Sequence, residues 1–250
     1  MYIETENILG FNVSNFDSSN LITQIYEKSI LSSQKKVVAC LNPHSFAISL
    51  DDKFFCFALK SADWLIPDGV GIVLASKMLG GSIRKRFTGY DLFYSLSKRL
   101  NFKDNPRVFF LGSSDRVLGK IQNRLKSDFP NILVDCYSPP FKNNFTSLEN
   151  RLMVRKINKF SPDILWVGMT APKQEKWIAY NIKHLNVKLA AGIGAVFDFY
   201  AGEKKRPTPI IQNLGLEWLF RLICEPRRLW RRTFVSSFIF FKNLFFECLR

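Results

Sequence analysis

Short apolar runs alternate with amphipathic stretches along most of the chain. The runs at 36–41, 63–66, 107–111, 132–136, 164–167 and 187–191 are flanked by turn residues. Runs of this length and setting read as buried strands. Residues 8–13 read as one further short strand. Between the runs, apolar residues recur at helical spacing. Asp17-Ser18-Ser19-Asn20 caps a helix to about residue 32, and 45–61 holds one or two helices. Gly80-Gly81 stops a helix over 72–79, and Thr88 caps another over 90–100. A helix follows the turn at 112–115 and runs to about 129, and another covers 148–160. Strands alternating with helices predict an α/β fold: an open, mostly parallel, Rossmann-like sheet with helices on both faces.

The pattern changes near Gly202. Residues 203–209 set Lys204, Lys205 and Arg206 against prolines. A helix is predicted over 214–223, Pro226 interrupts it, and a last helix fills 227–249. Residues 1–201 therefore read as one α/β domain and 202–250 as a helical appendage.

A net charge of +15 over 250 residues implies an anionic partner: nucleic acid, anionic lipid or a phosphorylated substrate. Nucleic-acid binders interleave aromatic and basic residues. Here many of the 24 phenylalanines gather in apolar blocks such as Phe238-Ile239-Phe240-Phe241. The appendage places Arg221, Arg227, Arg228, Arg231 and Arg232 beside Trp218, Trp230, Phe234, Phe238, Phe241 and Phe245. That is the composition of a helix lying on anionic lipid; the plainer alternative is a basic helix docked on the domain's own core. Lys242 and Glu247 break the apolar run, so a spanning helix is not expected. The N-terminus has neither a basic nor an apolar signal region. The five scattered cysteines form no C-x-x-C pair, which points to a reducing cytosol.

Loops leaving the C-terminal strand ends are where an open α/β sheet binds ligands. Three such loops carry chemistry. Asn42-Pro43-His44 follows the first buried strand, and Asn42 is either a substrate contact or a plain turn residue. In Ile66-Pro67-Asp68-Gly69-Val70-Gly71, Asp68 is either a general base for a hydroxyl or the N-cap of the next helix. G-x-G-x-x-G is absent, so this is no dinucleotide fingerprint. Gly168 to Gln174 is the third. Pro172 fits a first helical turn, and Lys173 and Gln174 then stand at a helix start, where an anion is favoured. Behind it lies a glycine-rich run through Gly192 and Gly194 to Asp198, an acid either paired or facing a site. Arg84, Lys85 and Arg86 form a basic loop, solvated or on a phosphate. His44 reads as a cap or surface residue. No metal-ligand motif is present, so no metal and no cofactor are expected; a leaving diphosphate would be met by Arg, Lys and helix N-termini.

Several segments together resemble the WecG/TagA/CpsF glycosyltransferases, glycosyltransferase family 26. They are Asn42-Pro43, Ala62-Asp63 through Gly71, Arg86-Phe87-Thr88-Gly89-Tyr90-Asp91-Leu92, Phe110-Leu111-Gly112 and Ala171-Pro172-Lys173-Gln174-Glu175-Lys176-Trp177. Gly192-Ile193-Gly194-Ala195-Val196-Phe197-Asp198-Phe199, Leu214-Gly215-Leu216-Glu217-Trp218-Leu219 and Glu225-Pro226-Arg227-Arg228-Leu229-Trp230-Arg231-Arg232 complete the set, in family order. One departure stands out: members often carry Thr two residues before the Asn, where this chain has Cys40.

The resemblance implies an inverting, metal-independent transferase of bacterial surface-polysaccharide synthesis. It would move an N-acetylmannosamine-type or uronic sugar from a UDP donor to a polyprenyl-diphosphate-linked acceptor at the inner face of the cytoplasmic membrane. By the family pattern Asp68 is the general base, and Asn42, Arg86, Gln174 and Asp198 are pocket residues. Gly69, Gly71, Lys173, Gly192 and Gly194 join them as binding residues. Arg221, Arg228 and Arg231 are phosphate-binding groups that close over the site. Self-association is left open, and no nucleic-acid partner is implied. The alternative is a non-catalytic, membrane-peripheral nucleotide-binding scaffold subunit.

Overall fold

The computed structural model describes residues 4–32 and 34–249. It opens with a hairpin, not the single strand expected over 8–13: β1 (Thr5–Ile8) pairs antiparallel with β2 (Phe11–Ser14). The reason is the turn. Leu9 and Gly10 both take positive φ (51° and 82°), the two-residue conformation that reverses a strand tightly. Then α1 (Ser18–Ile25) starts at Asp17, whose side chain accepts from the Ser19 amide, and passes into a widened turn at Tyr26–Ile30.

The core alternates strand and helix. In order come β3 (Lys36–Leu41), α2 (Pro43–Asp51), α3 (Lys53–Lys60), β4 (Trp64–Pro67), α4 (Val70–Met78) and α5 (Gly89–Leu100). Next are β5 (Arg107–Gly112), α6 (Asp115–Asp128), β6 (Leu133–Tyr137), α7 (Ser147–Phe160) and β7 (Ile164–Gly168). Then follow α8 (Lys173–Asn181), β8 (Leu189–Gly192) and the short α9 (Val196–Tyr200). The six strands β3 to β8 form one parallel sheet in the order β4-β3-β8-β7-β5-β6, the α/β class expected. All C-terminal strand ends therefore point to one side, and the polar loops gather there.

One sheet face packs α1, α5, α6 and α9 through Leu21, Phe93, Ile121 and Phe197 onto Val38, Phe110 and Trp166. On the other face, α7 and α8 cover Phe109, Leu165 and Val167, while α2, α3, α4 and the hairpin cover Ala39, Leu41 and Leu65. The middle strand β8 is Leu-Ala-Ala-Gly, and small residues there let other chain segments come close on both sides.

The last residues form α10 (Pro209–Asn213), α11 (Glu217–Cys224), α12 (Pro226–Trp230), a widened turn at Arg231–Val235, and α13 (Ser236–Cys248). The final helix expected over 227–249 is thus two helices joined by that turn. Phe240 and Leu244 of α13 are fully buried in the cluster around α2, and the Phe240 ring meets Phe46 edge-on at 5.3 Å. The opposite side leaves Phe238, Phe245 and Phe246 exposed at 70%, 57% and 55%. Docking on the core and presenting an apolar face are therefore both true of one helix. No helix among the described residues is long and apolar enough to cross a membrane.

Candidate active site

Asn42 ends β3 and begins α2. Its side-chain oxygen accepts from the His44 and Ser45 amides (3.1 and 2.9 Å), while the Ser45 hydroxyl accepts from the Asn42 amide. That is a helix cap. Its Nδ2 remains free to donate elsewhere, and it donates to Asp68 Oδ2 at 3.2 Å. One side chain thus caps α2 and faces the cavity beside Asp68.

Asp68 leaves β4 and is held by its own amide, which donates to the Leu41 carbonyl at 2.8 Å. It is not a cap: the residue before α4 is Gly69, at φ 92°, and no side chain caps that helix. Burial pushes the Asp68 carboxyl above its ordinary value; the Asn42 bond opposes this, Glu217 adds to it, and Arg221 and Arg232 oppose it. A carboxylate of that kind is a better proton acceptor than a surface one.

Two cavities meet at this pair. A polar one of about 350 Å³ spreads over the strand ends and is lined by Asn42, Asp68, Lys173, Gln174, Gly192, Gly194 and Asp198, with Arg221 and Arg228 from the tail. An apolar one of about 440 Å³ lies between α4 and the tail, lined by Leu74, Trp218, Phe234 and Phe241. Gly69, Gly71 and Arg86 line this second cavity and not the first. Asn42, His44, Asp68, Glu217, Arg221 and Arg232 line both.

Several expected roles change on inspection. Gly71 is small because Pro43 is close: a Cβ there would stand 2.5 Å from Pro43 Cγ. Arg86 pairs with Glu217 at 2.7 Å and donates to the Gln212 carbonyl at 3.0 Å, tying the basic loop to the tail. Its charge is already matched there. Pro172 lies one residue outside α8, after a cis Ala171–Pro172 peptide bond, so the helix starts at Lys173. Lys173 donates to the Lys142 carbonyl and lies 3.8 Å from the Phe145 ring centre, and so holds the 141–145 loop. Asp198 is paired with Lys204 at 3.0 Å while lining the cavity. Lys204 also bonds Glu225, which pairs with Arg228.

Arg231 is exposed and lines neither cavity; Arg232 lines both. Neighbouring helical residues point about 100° apart, so the two cannot face the same way. The four-residue spacing of Arg228 and Arg232 places these two on one helical face, a signal present in the sequence; Arg221 lies before the break at Pro226 and carries no such signal. Among the described residues Arg232 has no hydrogen bond or ion pair. Burial, with Arg221 and Arg228 nearby, lowers it to about 10, which leaves it charged at neutral pH. Arg221, Arg228 and Arg232 all line the polar cavity; Arg228 pairs with Glu225, while Arg221 and Arg232 have no ion pair among the described residues.

Three more groups lie near the floor: His44, expected as a cap or surface residue, Cys40, and Glu175, for which the sequence suggests no role. His44 Nδ1 lies 2.9 Å from the Ser236 hydroxyl of α13; burial and Arg232 hold it down at about 4, so it is neutral. Glu175 is buried beside Gln174 and pushed up to about 7 by burial. Cys40 is pushed well above its ordinary value, by burial and then by Asp68 and Glu175. Among the described residues no group of three His, Cys, Asp or Glu is placed to hold a metal ion.

The sequence profile described as the glycosyl transferase WecG/TagA/CpsF family matches residues 6–250. A Bacillus subtilis strain 168 protein named N-acetylglucosaminyldiphosphoundecaprenol N-acetyl-beta-D-mannosaminyltransferase is 30% identical over 231 residues, 92% of this chain and 87% of its own. A protein of the same name from Bacillus spizizenii W23 is 34% identical over 78% of this chain and 73% of its own. One from Staphylococcus aureus MRSA252 is 27% identical over 94% of this chain and 90% of its own. With the parallel sheet, the strand-end cavity and these matches together, the chain belongs to the WecG/TagA/CpsF family of glycosyltransferases.

Proposed function

We propose that this chain transfers an N-acetylmannosamine-type sugar from a UDP donor to N-acetylglucosamine carried on a polyprenyl diphosphate, with inversion and without a metal ion. The observation that carries this reading is the place of Asp68: a buried carboxylate, backed by Asn42, where a polar and an apolar cavity meet. The polar cavity suits a nucleotide sugar. The apolar one suits the lipid end of an acceptor. The names of the relatives, which carry both sugars and the undecaprenol, support the pairing.

In this reading Asn42 holds one oxygen of Asp68, and the other takes the proton of the acceptor hydroxyl. The hydroxyl oxygen attacks the anomeric carbon from the side opposite the diphosphate. The carbon–oxygen bond to the diphosphate breaks, and UDP leaves. Arg221, Arg228 and Arg232 meet the charge that grows on the departing diphosphate. Burial strengthens the effect of Arg232 above all, since charges act more strongly where water is excluded.

Residues 202–250 act as an appendage that completes the site, in this reading at the inner face of the cytoplasmic membrane. The exposed rings of α13 and the basic residues nearby suit an anionic bilayer surface.

The test is UDP release from UDP-N-acetylmannosamine with a polyprenyl-diphosphate-linked N-acetylglucosamine acceptor, with EDTA present. Acceptor-dependent release that persists in EDTA and fails in Asp68→Asn supports the reading. Release that survives unchanged in Asp68→Asn excludes Asp68 as the base. Nucleotide binding without release, across a panel of UDP-sugars, favours the scaffold role.

A further inference from the structure

Beside the Asn42–Asp68 pair, the floor of the polar cavity holds a second amide–carboxyl pair. Gln174 Nε2 donates to Glu175 Oε1 at 2.8 Å. Both residues line the cavity, and they are only 5% and 6% exposed. Each keeps one buried oxygen without a partner: Gln174 Oε1 and Glu175 Oε2. Leaving such atoms unpaired is costly, so a native site leaves them for something. The packing around Gln174 is close. A Cβ on Gly192 would stand 2.9 Å from Gln174 Nε2, and one on Gly194 would stand 3.4 Å from Gln174 Oε1. The two glycine positions leave the space that the amide occupies.

Both open atoms are oxygens. An amide oxygen and a carboxylate oxygen accept hydrogen bonds, so they match a ligand that offers donors and mismatch a phosphate. Their position narrows the ligand further. Gln174 packs on Gly192 at the end of β8, and β8 and β4 flank β3, after which Asn42 meets Asp68. The Gln174–Glu175 pair therefore lies in the part of the cavity next to Asp68. In the reaction proposed above, that part holds the donor sugar, because the anomeric carbon must meet the hydroxyl that Asp68 deprotonates. Hydroxyls and an acetamido N–H are what such a sugar presents.

We propose that Glu175 is a positioning residue, which with Gln174 forms a seat of two acceptors for hydroxyl or N–H donors of the transferred sugar. The inference rests on the donor reading above and adds a residue to it.

The experiment is calorimetric titration of the full chain with UDP and with UDP-N-acetylmannosamine, for the wild type and Glu175→Gln. Replacing a charged acceptor by a neutral one should weaken UDP-N-acetylmannosamine about tenfold and leave UDP within about twofold. Equal weakening of both ligands, or of neither, overturns the seat. A wild type that binds UDP but gains nothing from the sugar also overturns it, and leaves the nucleotide reading standing. A wild type that binds neither ligand overturns both.

A second measurement needs no variant. Around Glu175, the Cys40 thiol of β3 stays neutral and Arg232 of the tail stays charged between pH 6 and pH 8; His44, across the cavity, stays neutral, and burial raises the Asp68 carboxyl as well. Glu175 itself ionises in that window. The affinity for UDP-N-acetylmannosamine, whose diphosphate keeps one charge state there, should therefore rise from pH 6 to pH 8. A flat affinity overturns the proposal even if Glu175→Gln fails to fold.

Discussion

Asn42 joins the end of β3 to Asp68 at the end of β4 through one hydrogen bond of 3.2 Å, while its other amide atom caps α2. Removing this side chain therefore has two separable effects. Asn42→Ala should lose the cap, at about 0.5–2 kcal/mol of stability, and lose activity as well. Asn42→Asp keeps a capping oxygen but sets a second carboxylate against Asp68. It should unfold near the wild-type temperature and still transfer sugar poorly. Thermal unfolding beside turnover separates the two, and an active Asn42→Asp would remove the support role.

Asp68→Asn is the sharper lesion. The loss should be about 10²–10⁴-fold in turnover with the fold intact, the usual worth of a general base. Donor affinity should change little, because the proton moves only in the transition state.

Acidity should switch the enzyme off earlier than an ordinary carboxylate would. Burial raises the Asp68 value, so the protonated, inactive form persists to higher pH than for a free aspartate. Activity should be full above that raised value and fall as pH drops through it. The acidic limb of kcat at saturating donor measures it, free of the effect of Glu175 on donor binding. His44 sits at about 4 and is neutral throughout the working range, so His44→Gln should not move that limb.

Arg231 and Arg232 are adjacent in the chain and opposite in consequence. Arg232→Gln removes a charge from the opening shared by both cavities and should weaken UDP about ten- to a hundredfold. Arg231→Gln, on the exposed side, should bind UDP like the wild type. Nucleotide titration of the two variants decides whether site geometry or mere basicity matters.

The two faces of α13 make opposite predictions. Phe240→Ala empties a fully buried position and should cost about 3–5 kcal/mol, seen as a lower unfolding temperature. A triple change of Phe238, Phe245 and Phe246 to Ser should leave the unfolding temperature nearly unchanged. It should instead abolish co-sedimentation with anionic vesicles. Truncating the whole tail would mix these effects, since it strips the cover from Phe46 as well.

The sheet was legible because its signal is strong: six short apolar runs, each ending in Gly, Asn, Asp or Pro nearby. Local chemistry was legible too, as with the caps at Thr88 and Asp17. What sequence could not convey was direction. Arg86, read as a pocket cation, turns to Glu217, which lies 131 residues away, and nothing local announces that pairing. Arg231, expected at a phosphate, stands exposed while Arg232 lines both cavities, because a motif gives order and not facing. The hairpin was missed because a leucine rarely takes positive φ, so Leu9 carried no turn signal. Asp68 resisted assignment because a cap and a base look alike until the amide that needs capping is located.

The close fits under the strand ends carry a further consequence. Gly112 faces the Gly168 carbonyl, Gly168 faces the Phe197 ring, Gly192 faces Gln174 and Gly71 faces Pro43, each with no room for a methyl group. The floor of the site is thus a fixed platform that tolerates almost no substitution. Any change of sugar or acceptor among chains of this architecture must be written in the walls: the 139–145 loop and the residues of the tail that face the opening. An effort to retarget the enzyme should randomise those walls and leave the glycines alone.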